Sequence, residues 1–154
     1  MIIYRDKLDS ANMPYVVISH LGRSQLDAIL DVTGLTSYFP PDMRVSLDER
    51  YSDERSELLG AALRLEKHPE KCVVFDNTPS AAETSHEILM KCVSIVNQYP
   101  KYELSAADWT IGDVRDLDLS SIRTLFSERD DNIPLAVAEA EGILRRRPPI
   151  VRTA

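Results

Sequence analysis

The chain has 154 residues, 44% of them apolar and 28% charged, with 18 Lys and Arg against 25 Asp and Glu. That length suits one ordinary domain, and the composition is globular rather than disordered or fibrous. A net charge of −7 argues against nucleic-acid binding, which needs a basic face, and no run of about 18 apolar residues is present to cross a membrane.

The first residues, MIIYRDKLDS, lack the basic region and long apolar stretch of a secretory signal. The first fourteen residues read as a helix leading into Tyr15–Ile18, a short apolar run with the pattern of a buried parallel strand. Gln25 to Val32 follows with helical spacing through Leu26, Ile29, Leu30 and Val32, and Gly34 is placed to end it in the left-handed conformation. Glu57 to Leu65 is a second helix, carrying Leu58, Leu59, Ala62, Leu63 and Leu65. Cys72–Phe75 is the next buried strand. Thr78-Pro79 then opens a helix over Ser80 to Met90, with Ala82, Ile88 and Leu89 among its apolar residues. Cys92–Val96 is a third strand, Asp108–Ile111 a short edge strand, and Leu119 to Phe126 a closing helix capped by Asp118.

After Phe126 the composition changes. A polar break precedes Pro134 to Leu144, which suits one more helix, and three arginines with two prolines (145–149) end it. The chain therefore divides into a core over residues 1–126 and a C-terminal extension over 127–154. Alternating strand and helix predicts an α/β core around a parallel sheet with right-handed crossovers.

Ligands in open parallel sheets bind at the carboxyl ends of the strands. The two loops to inspect are therefore Ser19-His20-Leu21-Gly22-Arg23-Ser24 and Asp76-Asn77-Thr78-Pro79-Ser80. A hydroxyl on one and a carboxylate on the other suggest a phosphate or metal-phosphate site. Cys72 and Cys92 give no disulfide framework and no zinc spacing. Both lie in apolar runs and read as buried reduced thiols, which fits an intracellular reducing compartment, cytosol or an organelle matrix such as the chloroplast's, rather than secretion.

The run Pro69-Glu70-Lys71-Cys72-Val73-Val74-Phe75-Asp76-Asn77-Thr78-Pro79-Ser80-Ala81-Ala82-Glu83, continuing through His86 and Met90-Lys91-Cys92-Val93, resembles the fourth-motif region of the haloacid-dehalogenase-like (HAD-like) hydrolases. The likeness is to the branch of β-phosphoglucomutase and CbbY-like sugar-phosphate phosphatases. Val16-Val17-Ile18-Ser19 resembles that family's second motif, and Ala106 to Leu119 its closing strand and helix.

The resemblance implies a three-layer Rossmann-like core with a parallel sheet, its N-terminal strand and cap domain missing from this chain, and a phosphoaspartyl mechanism. Two Asp lie two apart on a central first strand, a hydroxyl and a Lys hold the phosphate, and acids hold Mg²⁺. Ser19 matches the hydroxyl, and His20 is its neighbour. Counting back from Phe75, the third-motif Lys-Pro falls on Ser52-Asp53. Arg50 and Arg55 are the nearest cations, and Arg55 is the candidate substitute, although Ser52 with Asp53-Glu54 also reads as a solvated helix start. The paired acids of the fourth motif fall on Asp76 and Asn77, a weakened candidate metal pair. Glycines expected at two positions are Ala81 and Leu89. No apolar strand ending in Asp-x-Asp precedes Tyr15. Asp116-Leu117-Asp118 reads instead as a loop and helix cap.

The expected function is thus a catalytically degenerate HAD-like protein serving as a structural or interaction subunit, with no cofactor. The alternative is the C-terminal part of a Mg²⁺-dependent phosphatase or phosphomutase whose nucleophile lies outside this chain. A third reading is a sensor holding a phosphorylated small molecule near Ser19. Without the central strand, two strand edges are exposed, so a protein partner or another chain segment is expected to complete the sheet. Met1-Ile2-Ile3-Tyr4 is one candidate, a preceding segment or partner subunit another.

Overall fold

The computed structural model describes residues 12–127. The expected Met1–Tyr4 strand, most of the helix expected over the first fourteen residues and the extension beyond Ser127 lie outside them, and residues 12–14 are not helical. The described elements are β1 (Val17–Ser19), α1 (Arg23–Val32), β2 (Arg44–Ser46), α2 (Glu54–Arg64), β3 (Val73–Asp76), α3 (Pro79–Glu87), β4 (Lys91–Ile95), β5 (Trp109–Ile111) and α4 (Leu119–Ser127). All strand pairs are parallel, as the alternating order predicts.

The strands form two sheets. β1 pairs with β2, Ile18 opposite Val45, while the second sheet has the order β3-β4-β5, with Phe75 opposite Val93 and Ser94 opposite Thr110. One core joins the halves: Leu58 and Ala62 of α2 are buried with Cys72 and Met90, and both Ile18 of β1 and Val74 of β3 pack on that cluster. A second cluster, Val93, Ile111, Leu117 and Leu125, seals β4 and β5 against α4.

Burial along the strands runs opposite to expectation. β2 is buried throughout and β4 has Cys92, Val93 and Ser94 buried, yet β1 and β3 are only half-buried. Phe75, read from sequence as part of a strand covered on both faces, is 38% exposed. β1, β2 and β3 are each hydrogen-bonded on one side only among the described residues, so the packing of helices and side chains, not strand pairing, sets the difference in burial.

Local chemistry explains most helix ends. Gly34 adopts φ +69° just after α1, where its missing side chain avoids the left-handed penalty. Thr78 caps α3, its hydroxyl accepting from the Ala81 amide, with Pro79 in the first turn. The Asp118 carboxylate accepts from the Ser121 amide (2.6 Å) and caps α4. Three readings need correction. α2 begins at Glu54 and its cap is Asp53, not Ser52. Its buried face is Glu57, Leu58, Ala61 and Ala62, while Leu59 and Leu63 are 40% and 79% exposed, because the apolar stripe is turned towards the sheet by about one residue. α3 stops at Glu87, and Leu89 follows with φ +64° and 53% exposure. The chain thus makes a left-handed turn there without the glycine that such a turn favours.

Candidate active-site crevice

Ser19 and Asp76 end β1 and β3, and so stand at the carboxyl ends of strands in separate sheets. The Ser19 hydroxyl accepts from the Leu21 amide at 3.2 Å, holding the turn into α1. That turn is fixed further by the Leu47 amide donating to the Leu21 carbonyl and the Arg23 amide donating to Asp48 (2.5 Å). His20 is largely exposed and lies 3.8 Å, Nδ1 to Oε2, from Glu57 of α2. Glu57 is 8% exposed, and burial pushes its carboxyl above the ordinary range, with Glu54 and Glu49 adding in the same direction and His20 opposing. A buried acid therefore stands behind the loop that carries Ser19.

Asp76 turns its Oδ1 onto the Thr78 amide and hydroxyl, both at 2.7 Å. It therefore supports the residue that caps α3 rather than capping the helix itself. Half-buried Asn77 follows it. Glu54, at the start of α2, accepts from the hydroxyls of Ser80 (2.6 Å) and Thr84 (3.1 Å) on α3. Asp53 accepts from the Ser56 amide and hydroxyl, which lowers its pKa. The Ser52 hydroxyl meets that of Ser56 at 3.0 Å. Asp76, Glu54 and Asp53 thus accept from neutral donors.

Four arginines are paired away from these carboxylates. Arg55 is paired with Glu87. Arg64 is paired with Glu49. Arg23 and Arg44 share Asp27 at 3.3 and 2.7 Å. Arg50 is exposed, in the left-handed conformation at φ +54°, where the 47–49 turn closes. Among the described residues no three His, Cys, Asp or Glu side chains gather as a metal site, and Asp76 with neutral Asn77 is a poor donor set for Mg²⁺, which favours carboxylate oxygens.

Below the crevice, Cys92 is 1% exposed and its thiol is pushed up to about 11 by burial, despite Ser94 at 3.8 Å. Burial also raises Cys72. Both stay protonated and unreactive at neutral pH.

Sequence reasoning missed β2 and Glu57. β2 is three residues long and begins with Arg44, 5% exposed, whose guanidinium donates to the Phe39 and Thr36 carbonyls and Asp27. Glu57 had one available signal, its position on the face shared by Leu58, Ala61 and Ala62.

No family model matches the chain. The structure superposes on a HAD hydrolase, family IA, variant 3, from Entamoeba histolytica with a TM-score of 0.76 at 16% identity, covering 82% of this chain and 59% of that one. The chain folds as a haloacid-dehalogenase-like core. A β-phosphoglucomutase from Clostridium difficile matches with a TM-score of 0.68 at 13% identity over 85% of this chain and 56% of that chain. In sequence, 113 residues are 26% identical to the chloroplastic 5-amino-6-(5-phospho-D-ribitylamino)uracil phosphatase of Arabidopsis thaliana, spanning 73% of this chain and 30% of that protein. The chain thus covers under two thirds of the length of each of these HAD-like relatives. No helix among the described residues is long and apolar enough to cross a membrane.

Proposed function

We propose that this chain is a HAD-like core without phosphoryl-transfer chemistry of its own, acting as a structural or interaction subunit of a larger assembly. One observation carries the reading: Arg55, the cation placed to replace the motif lysine, is held by Glu87, while the crevice keeps Asp76, Glu54 and Glu57. A phosphate dianion needs cations to offset its repulsion from carboxylates. Ser52 and Asn77, at the positions of the motif lysine and second acid, support the same reading. Buried thiols support an intracellular reducing compartment, and the plant relative is chloroplastic by name.

A second reading is the C-terminal part of a Mg²⁺-dependent phosphatase acting on small phosphorylated metabolites. The phosphatase named among the relatives favours it, as do Ser19 and Asp76 at strand ends. The test is phosphate release from p-nitrophenyl phosphate and small sugar phosphates by the chain with Mg²⁺. The proposal expects none above background, and release that Asp76→Asn abolishes refutes it. The second reading expects turnover only once an Asp-bearing strand is supplied, with Asn77→Asp then tightening Mg²⁺ binding.

A further inference from the structure

Strand β2 is hydrogen-bonded to β1 alone among the described residues, yet Arg44, Val45 and Ser46 are only 5%, 0% and 2% exposed. An edge strand ordinarily presents a row of open peptide groups. The Leu47 amide turns inward to the Leu21 carbonyl, so by alternation Val45 also faces β1, and the peptide groups of Arg44 and Ser46 point outward. Side chains meet them there. The Arg44 carbonyl accepts from Arg23 of α1 (3.1 Å) and from Arg64 of α2 (2.6 Å), which uses both of its lone pairs. The same guanidinium groups continue along the edge, Arg23 to the Pro41 carbonyl (2.5 Å) and Arg64 to that of Asp42 (3.1 Å). The Ser46 amide donates to Glu49 (3.3 Å), whose other oxygen pairs with Arg64.

We infer that Arg23 and Arg64 form a clamp that closes the β2 edge to strand addition, and that without it a second copy of this chain pairs there, β2 against β2, antiparallel about a two-fold axis. Two features make the clamp effective. Hydrogen bonds from a charged donor are stronger than the neutral amide bonds that an incoming strand would offer in exchange. With the clamp in place, two copies would also bring the arginines of both onto one seam, where like charges oppose docking. The identical edges explain the choice of occupant: each bare edge offers the outward amide and carbonyl that the other lacks. The inference concerns the outer edge of the β1-β2 sheet and holds under either reading of function.

Self-association of the full chain tests this. Arg23→Met/Arg64→Met removes the clamp and keeps its apolar stems. The change makes an acidic chain more acidic, so general repulsion between copies opposes the expected result. Dimerisation of the variant, measured by sedimentation equilibrium, is expected to be at least about ten-fold tighter than that of the unmodified chain, the scale of one hydrogen bond to a charged group. Hydrogen exchange of the Arg44 and Ser46 amides is expected to slow as the variant's concentration rises, and to be independent of concentration in the unmodified chain. Arg64→Met alone keeps Arg23 in place and carries the same expectation, with a smaller gain, if the double variant misfolds. Unchanged association of a folded variant, tighter association without protection of those two amides, or concentration-dependent protection of them in the unmodified chain overturns the inference. Phosphate release reads a different part of the molecule, so each result stands apart from the reading of function.

Discussion

Ile18 of β1 and Val74 of β3 pack against the same buried cluster, although their strands belong to different sheets. Helix α2 lies over both half-sheets, and the strands it joins are less buried than β2 and β4 on their outer sides. In a doubly wound sheet the middle is normally the most buried part.

Phe75 should reflect this directly. A fully buried phenylalanine costs about 3–5 kcal/mol when cut back to alanine. At 38% exposure, on an edge unpaired among the described residues, Phe75→Ala should cost about 2 kcal/mol in urea unfolding, because over a third of the residue is already in water. A loss above about 3 kcal/mol would mean that the ring is covered.

Leu89 occupies a left-handed turn at φ +64° with its side chain half in solvent. A non-glycine residue there costs about 1–2 kcal/mol, part of which glycine returns through greater freedom of the unfolded chain. Leu89→Gly should therefore stabilise the chain by about 0.5–1 kcal/mol, read as a higher urea midpoint at unchanged slope.

The Thr78 hydroxyl caps α3 and also donates to Asp76. Thr78→Ala should cost about 1 kcal/mol, the usual value of a lost cap. Thr78→Ser keeps the hydroxyl and should recover most of it in thermal unfolding.

Glu57 gives a pH signature. Its folded pKa lies above the ordinary glutamate range because burial disfavours the charge, so the folded state binds the proton more tightly than the unfolded state. The ionised side chain then weakens the fold as pH rises from the ordinary range through the folded value. Glu57→Gln should raise the melting temperature at pH 7–8 by about 2–4 °C, a shift of about 1 kcal/mol for a chain of this size, and the gain should vanish below pH 4. A gain that persists at low pH would assign the effect to something other than the charge.

Much of the fold was legible in the sequence because its signals are local. The β-branched runs around Ile18, Val74 and Val93, the Thr78-Pro79 start, Gly34 and the Asp118 cap each act within a few residues. What escaped depends on tertiary partners. Arg44 in β2 is buried only because the Phe39 and Thr36 carbonyls and Asp27 satisfy its guanidinium. Leu59 and Leu63 read as core until the sheet fixes the rotation of α2. At the candidate site, Ser19 and Asp76 stand at strand ends as read, but the engagement of Arg55 by Glu87 spans 32 residues and has no local signal.

The lack of pairing between β1 and β3 among the described residues is tested most directly by amide hydrogen exchange of the free chain, strand by strand. In a parallel strand paired on one side, alternate amides point away from the partner. The account predicts that alternate amides of Val73–Asp76 and Val17–Ser19 exchange near free-peptide rates, while Cys92, Val93 and Ser94 of β4, flanked on both sides, are protected throughout. Uniform protection of β3 at the level of β4 would contradict it.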